Sequence, residues 1–205
     1  MSSINLACKN DWLYNDPFIF VDNLEGNKHL VLFYRNQGYG QKIQFRFIRN
    51  GLLKGENCIC TTYNDDIELI ENEMVDNNID VKEFKKKGLL HLYQIPDLIK
   101  HPKGAIAATE GIINKMFSGL TPPFRLVTRF IGEINTKEQI ATNLVLEQII
   151  HSKFNKFQGL VLCHYDVNEI LPHTHGLWLE SILKNHHSAI FITQTDGEGI
   201  AFDIE

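Results

Sequence analysis

A glycine-rich turn contains the residues of this chain whose types and spacing could bind phosphate. Gly38, Gly40 and Lys42 directly follow an apolar run and precede a helix-like stretch. In a P-loop, backbone N–H groups surround the phosphates, a lysine contacts them and a neighbouring hydroxyl binds Mg²⁺. Here Gln41 separates Gly40 from Lys42, and Ile43 replaces the hydroxyl. The segment therefore predicts a nucleotide-binding layout that has lost its hydrolytic residues.

Asp166 ends a second apolar run and completes this degenerate nucleotide site. A carboxylate at such a strand end orders Mg²⁺ in P-loop proteins. Aspartate also caps turns readily, and this role requires no phosphate. One hypothesis is therefore a protein that binds nucleotide without hydrolysing it, through Gly38, Gly40, Lys42 and Asp166.

A second group of polar residues lies in the helix predicted over 136–154. At 100° per residue, Glu147 and His151 share one stripe with the apolar residues Ile140, Leu144 and Phe154. A charged group on an apolar face must be paired or neutral. Three interpretations stay open: a Glu147–His151 hydrogen bond at the edge of the core, a slightly rotated helix that exposes both residues, or a polar anchor that points into a ligand pocket. A weaker hypothesis is an enzyme that uses the two as an acid–base pair.

Four imidazoles occur close together at His173, His175, His186 and His187. Helix residues two apart point in nearly opposite directions, whereas a chelating pair needs a spacing of three or four. The spacing therefore predicts no metal site, and the four cysteines show no CxxC pattern. Because the chain also lacks the G-x-S-x-G, HExxH and GxGxxG motifs, we expect neither an enzyme nor a cofactor.

The composition is that of an ordinary soluble protein. The 205 residues are 43% hydrophobic with a net charge of -5, and no basic stripe indicates direct binding to nucleic acid. No apolar run is long enough to span a membrane, and no signal pattern opens the chain. We therefore expect a cytoplasmic protein with no membrane contact.

Short apolar runs alternate with longer amphipathic ones along the chain. Strands are predicted at 30–34, 57–63, 89–95, 125–130, 160–165 and 189–193, and helices near 40–53, 65–77, 103–119, 136–154 and 170–186. A short edge hairpin is expected through 196–199. Parallel strands joined by right-handed helical crossovers form a doubly wound α/β sheet with helices on both faces, which gives three layers. Ligands of such sheets bind beyond the carboxyl ends of the strands.

Several short segments, in order along most of the chain, resemble a known family. They are His29, Phe33-Tyr34, the segment 47–56 (FIRNGLLKGE), the segment 87–90, Arg125-Leu126-Val127, Gly132-Glu133, Glu147, the segment 162–166 (LCHYD) and His186. In these positions the chain is similar to the MEDS family, the methanogen/methylotroph DcmR-type sensory domain, which is related to RecA/KaiC-like ATPases. The resemblance covers about 29–193.

The resemblance implies a mainly parallel RecA/KaiC-like α/β domain whose ATPase motifs have decayed. We expect residues 29–205 to form this sensory domain and residues 1–28 to form an N-terminal extension packed on it. The function implied is a non-catalytic sensor of a small, hydrocarbon-like ligand in signal transduction or transcriptional regulation. It would signal through a regulatory protein partner or a homo-oligomer. The expected ligand-binding residues are His29, Tyr34, Glu133, Glu147, Tyr165 and His186.

Overall fold

A seven-stranded sheet forms the centre of the protein. The computed structural model describes residues 16–63, 67–173, 176–192 and 197–204. Its strands are β1 (Lys28–Tyr34), β2 (Asn57–Thr62), β3 (Leu90–Gln94), β4 (Phe124–Thr128), β5 (Gly159–Asp166), β6 (Ser188–Ile192) and β7 (Ile200–Asp203). Their spatial order is β3-β2-β4-β5-β1-β6-β7.

The first six strands are parallel and β7 pairs antiparallel with β6. The six predicted strands and the doubly wound arrangement are therefore confirmed. The predicted edge hairpin is confirmed by the pairing of β7 with β6, although residues 193–196 lie outside the described part of the chain. β1 is an inner strand, with β5 on one side and β6 on the other.

Helices cover both faces of the sheet. They are α1 (Pro17–Asp22), α2 (Gln37–Lys54), α3 (Ile67–Asp76), α4 (Val81–Lys86), α5 (Gly104–Phe117), α6 (Lys137–Lys153), α7 (Val167–Ile170) and α8 (Gly176–Lys184), with a 3₁₀ turn at Phe154–Lys156. One apolar core joins the sheet to α1, α2, α3 and α4, and another joins the opposite face to α5, α6 and α8. The three layers follow from these two cores.

The helices differ from the sequence prediction in four respects. α4 was not predicted, and Asp80 caps it by accepting a hydrogen bond from the Glu83 N–H. α2 begins at Gln37, because the side chain of Asn36 accepts a hydrogen bond from the Tyr39 N–H and caps the helix. The helix predicted over 170–186 is instead α7 and α8, with Pro172 between them; proline lacks an N–H and ends helices. The prediction missed α1, whose start is marked by Asp16 as the capping residue and Pro17 in the first turn.

The alternation of side chains along β1 decides which residues can reach each core. Leu30, Leu32 and Tyr34 belong to the core beneath α2, whereas Val31 and Phe33 belong to the core beneath α6 and α8. Since successive side chains of a strand point to opposite faces, His29 lies on the α6 and α8 side. Residues of β5 at odd positions lie on that same side.

Candidate functional site: a buried cluster of polar residues

Six polar side chains converge beneath α6 and α8. They are His29 of β1, Asn143 and Glu147 of α6, Cys163 and Tyr165 of β5, and His186 of the turn between α8 and β6. At most 3% of the surface of each is exposed. We call these six residues the buried cluster. Four of the six predicted ligand-binding residues, His29, Glu147, Tyr165 and His186, are thus brought together by the fold.

One oxygen of Glu147 is held by a short chain of hydrogen bonds. The Tyr165 hydroxyl donates to Oε1 of Glu147, and Nδ2 of Asn143 donates to that hydroxyl at 2.9 Å. Asn143 and Glu147 are four residues apart on α6 and therefore share one face of the helix. This chain orients the carboxylate, so that its other oxygen, Oε2, points toward β1 and the turn before β6.

Oε2 of Glu147 faces two imidazoles and a thiol. It lies 3.5 Å from His29 Nε2, 3.4 Å from His186 Nε2 and 3.5 Å from Cys163 Sγ. The His29 Nε2 and Cys163 Sγ atoms are themselves 3.4 Å apart. These four atoms all lie within 4.8 Å of one another.

Both imidazoles present Nε2 to this group of atoms. Nδ1 of His186 lies 2.7 Å from the carbonyl oxygen of Ile182. Nδ1 of His29 is buried and makes no hydrogen bond of good geometry. The two ring centroids are 4.0 Å apart, and Phe154 stacks on His29 at 5.5 Å. The rings are therefore fixed by packing as well as by polar contacts.

Burial shifts the pKa of each ionisable member of the buried cluster toward its neutral form. It raises the pKa of Glu147 to about 7, against the opposing effect of the hydrogen bonds from Tyr165 and Cys163. It lowers the pKa of His186 to about 3 and that of His29 well below its ordinary value. The pKa of the Cys163 thiol is raised by burial and by the nearby Glu147 carboxylate.

The other two predicted ligand-binding residues lie elsewhere. Tyr34 is on the opposite face of the sheet, at a cavity of about 410 Å³ beyond the carboxyl ends of the strands. Exposed Glu133 borders a neighbouring cavity and accepts a hydrogen bond from Asn135. A single pocket lined by all six predicted residues therefore does not form. We call the cavity beside Tyr34 the carboxyl-edge cavity.

The residues of the predicted nucleotide site do not form a phosphate-binding loop. Gly38 and Gly40 lie in the first turn of α2, and a Cβ atom at Gly40 would lie 2.4 Å from the ring of Tyr34. Exposed Lys42 places its Nζ 4.9 Å from the centre of the Tyr39 ring. Asp166 caps α7 by accepting a hydrogen bond from the Asn168 N–H, in agreement with the capping role considered for it.

A third cavity, of about 390 Å³, lies between α5 and α6. We call it the α5–α6 cavity. Its wall is mainly apolar, with the polar residues Thr109 and Asn114 beside the apolar Ile106, Ile113, Phe117, Leu126, Phe130, Leu146, Ile149, Ile150, Phe154, Phe157 and Val161. Lys153 and Glu110 form an ion pair of 2.7 Å across its opening. Phe154 also stacks on His29, so the α5–α6 cavity shares a wall with the buried cluster.

His151 has a different role from the one expected by sequence. Glu147 bonds to Tyr165 and Cys163, so the alternative of a Glu147–His151 hydrogen bond is wrong. The His151 ring instead packs 4.8 Å from that of His187. The contacts thus offer no acid–base pair of Glu147 and His151.

One family model matches most of the chain, including all six residues of the buried cluster. Residues 28–186 match the family model described as MEDS, the methanogen/methylotroph DcmR sensory domain. The matched region covers well over half of the chain. The chain belongs to the MEDS family. The family resemblance expected from the short segments is confirmed.

The fold is shared with a solved structure of low sequence similarity. The KaiC-like protein of the hyperthermophilic archaeon Pyrococcus horikoshii is 13% identical, with a TM-score of 0.59 over 87% of this chain and 77% of that protein. This likeness concerns the fold alone, and it confirms the predicted RecA/KaiC-like α/β architecture of this MEDS domain. No match was found among curated proteins. In the described parts of the chain, no helix is both long and apolar enough to cross a bilayer.

Sequence reasoning missed two members of the buried cluster, Asn143 and Cys163. The sequence nevertheless contains a pattern that places each of them beside a predicted site residue. Cys163 is two residues before Tyr165 on a strand and must share its face, and Asn143 is one helical turn before Glu147. The separation in sequence between α6, β1 and β5 concealed their proximity.

Proposed function

We propose that this MEDS protein is a non-catalytic sensory domain that binds a small apolar molecule in the α5–α6 cavity. The observation that carries the proposal is the cavity itself: about 390 Å³, mainly apolar, and in contact through Phe154 with the buried cluster. Ligand pockets are commonly of this size, with apolar walls and few polar groups. Membership of a sensory family supports the same role.

The wall of the cavity favours a ligand without charge. Its deep part is formed by aliphatic and aromatic side chains, such as Leu126, Phe130 and Val161. The polar ion pair of Lys153 and Glu110 lies at the opening, where both side chains are at least half exposed. A small hydrocarbon or halogenated hydrocarbon fits such a site, because its transfer from water into the cavity buries apolar surface.

The proposed signal passes from the cavity to a partner. A ligand shifts an equilibrium only between states that it binds unequally, so an occupied cavity must change the spacing of α5 and α6 or their outer surfaces. A regulatory protein or a second copy of the chain that contacts these helices would register the change. The role would then be signal transduction or transcriptional regulation.

Nucleotide binding is the less favoured alternative. The carboxyl-edge cavity is lined by three carboxylates, Glu73, Asp166 and Glu169, and by one guanidinium, Arg129. Arg129 is already paired with Glu169 at 2.8 Å. An excess of negative charge repels phosphate groups, and Lys42 is not among the lining residues.

Thermal unfolding of the purified protein in the presence of toluene, dichloromethane, ATP or ADP tests the proposal. We expect toluene or dichloromethane to raise Tm, since a ligand at about 100 times its Kd stabilises the folded state by about 2.7 kcal/mol. ATP and ADP should leave Tm unchanged. Ile113→Trp should fill the α5–α6 cavity and abolish the shift.

Ile112→Trp is the matched control, because Ile112 neighbours Ile113 on α5 and is also half-buried but does not line the cavity. The Tm of Ile112→Trp should still rise with toluene or dichloromethane. A shift with ATP that Lys42→Ala removes, together with silence for both organic compounds, would favour the nucleotide alternative. If toluene or dichloromethane still raises the Tm of Ile113→Trp, the compound binds outside the α5–α6 cavity.

A further inference from the structure

Four of the six separations among four atoms of the buried cluster match those of ligands around one tetrahedral metal ion, and the other two, from His186 Nε2 to His29 Nε2 and Cys163 Sγ, are at most 4.8 Å. Zinc binds histidine nitrogen at about 2.0–2.1 Å, carboxylate oxygen at about 2.0–2.2 Å and thiolate sulfur at about 2.3 Å. Ligand atoms at the corners of such a tetrahedron are about 3.3–3.8 Å apart. The four distances that link Glu147 Oε2 to His29, His186 and Cys163, and His29 to Cys163, are 3.5, 3.4, 3.5 and 3.4 Å.

The tautomer of His186 gives a second, independent reason. Its Nδ1 atom lies 2.7 Å from the Ile182 carbonyl oxygen, which can only accept, so Nδ1 carries the proton. In the neutral ring Nε2 is then an unprotonated acceptor, and it faces Oε2 of Glu147 at 3.4 Å without a hydrogen bond. Two acceptors directed at one another require either a proton on Glu147 or a metal ion between them, and a metal ion also accounts for the approach of His29 Nε2 and Cys163 Sγ to the same oxygen. Metal-bound histidines commonly donate their other ring N–H to a backbone carbonyl in this way.

The charges of the four groups also balance around a divalent cation. A thiolate at Cys163 and a carboxylate at Glu147 contribute two negative charges, and two neutral imidazoles contribute none. With one divalent ion the buried site is neutral, which avoids the high cost of an isolated buried charge. The surrounding hydrogen bonds suit the same assembly, because Tyr165 holds the oxygen of Glu147 that does not face the other ligands.

We propose that the protein binds one Zn²⁺ through His29 Nε2, Glu147 Oε2, Cys163 Sγ and His186 Nε2. One sulfur, two nitrogens and one oxygen in a tetrahedral arrangement are a ligand set that zinc prefers. All four ligands come from the protein and all are buried, so the site is closed and structural. It ties β1 and β5 to α6 and to the turn before β6. This inference does not depend on the proposed ligand of the α5–α6 cavity.

The first test is the metal content of the full-length protein, purified without chelators and measured by inductively coupled plasma mass spectrometry. We expect about one zinc per chain, since the site has a single set of four ligands. Removal of the metal with a chelator should lower Tm, and added Zn²⁺ should restore it. The proposal would be overturned by a purified protein that contains no metal and whose folded metal-free form binds neither Zn²⁺ nor Co²⁺.

Cobalt substitution tests the ligands individually. Co²⁺ in this site should show the visible absorption of a tetrahedral ion and a thiolate-to-cobalt charge-transfer band. Cys163→Ser should lose the charge-transfer band, whereas the matched control Cys60→Ser should keep it, because Cys60 is a buried cysteine on the opposite core. Retention of the band in Cys163→Ser would overturn the assignment.

Two further variants separate metal binding from folding. Glu147→Gln conserves shape, and Tyr165→Phe removes only the hydroxyl that orients Glu147. We expect Tyr165→Phe to reduce the affinity for Zn²⁺ by about 10–100-fold, the usual effect of losing a partner that orients a ligand, and Glu147→Gln to reduce it more. Circular dichroism reports whether each variant is folded. Folded variants that bind Zn²⁺ with unchanged affinity would contradict the proposal.

Discussion

Arg125 is a cation with only 1% of its surface exposed. Its Nε donates to Glu56 at 2.5 Å and its Nη1 donates to the carbonyl of Phe47 at 3.0 Å. Gly51 makes room for it, since a Cβ there would lie 2.4 Å from Arg125 Cδ. These residues belong to the segments that resemble the MEDS family, so part of that resemblance reflects a structural ion pair rather than ligand recognition.

We expect Arg125→Ala to lower the free energy of unfolding by about 3–5 kcal/mol, because it leaves Glu56 largely buried without its partner. Arg46→Ala is the matched control: Arg46 pairs with Asp22, but both side chains are exposed. Exposed pairs contribute about 0–1 kcal/mol. Urea denaturation measures both values. Equal losses for the two variants would show that the Arg125 pair is no stronger than a surface pair.

The strands were predictable from the sequence, whereas the candidate site was only partly so. Unbroken apolar runs identified β1 and β5, because strands covered on both faces carry few polar residues. Side-chain alternation also separates Tyr34 from His29, which differ in parity on β1, and this could have been read from the sequence. The position of Glu133 could not, because it follows β4 in a loop whose path depends on its contacts. The convergence of α6 with β1 and β5 is likewise a property of the assembled fold.

Substitutions of the two glycines at the start of α2 test whether the first turn of this helix serves packing or phosphate binding. We expect Gly40→Ala to cost about 1–3 kcal/mol, since its Cβ would collide with the ring of Tyr34 at 2.4 Å. Gly38→Ala should cost less, about 0–1 kcal/mol, because its Cβ meets only Asn36 Oδ1 at 3.2 Å, and the pressure on this capping oxygen is offset by the preference of alanine for helix. Thermal unfolding compares them. If Gly40 instead served a phosphate, its replacement would weaken ATP binding and leave stability intact.

β7 is a short edge strand that covers the outer edge of β6. It pairs with β6, and Asp203 accepts hydrogen bonds from Lys28 and Ser188, each at 2.7 Å. We expect a variant that lacks residues 200–205 to self-associate as its concentration rises, because a bare strand edge pairs with other chains. Sedimentation velocity measures this. Phe202→Ala keeps the backbone pairing and alters only an exposed side chain, so it should self-associate no more than the parent protein. Equal self-association of the truncated variant and Phe202→Ala would refute the protective role of β7.

The strand order has a consequence for the making of the protein. β1 pairs only with β5 and β6 within the sheet, and β2, β3 and β4 are all translated before either partner. Ribosomes add about 5–20 residues per second. The apolar strand 28–34 is therefore made several seconds before the first residue of either pairing strand, although α2, which covers one of its faces, follows it directly. Until then both hydrogen-bonding edges of β1 stay unpaired, so β1 can enter the sheet only after β5 has been translated.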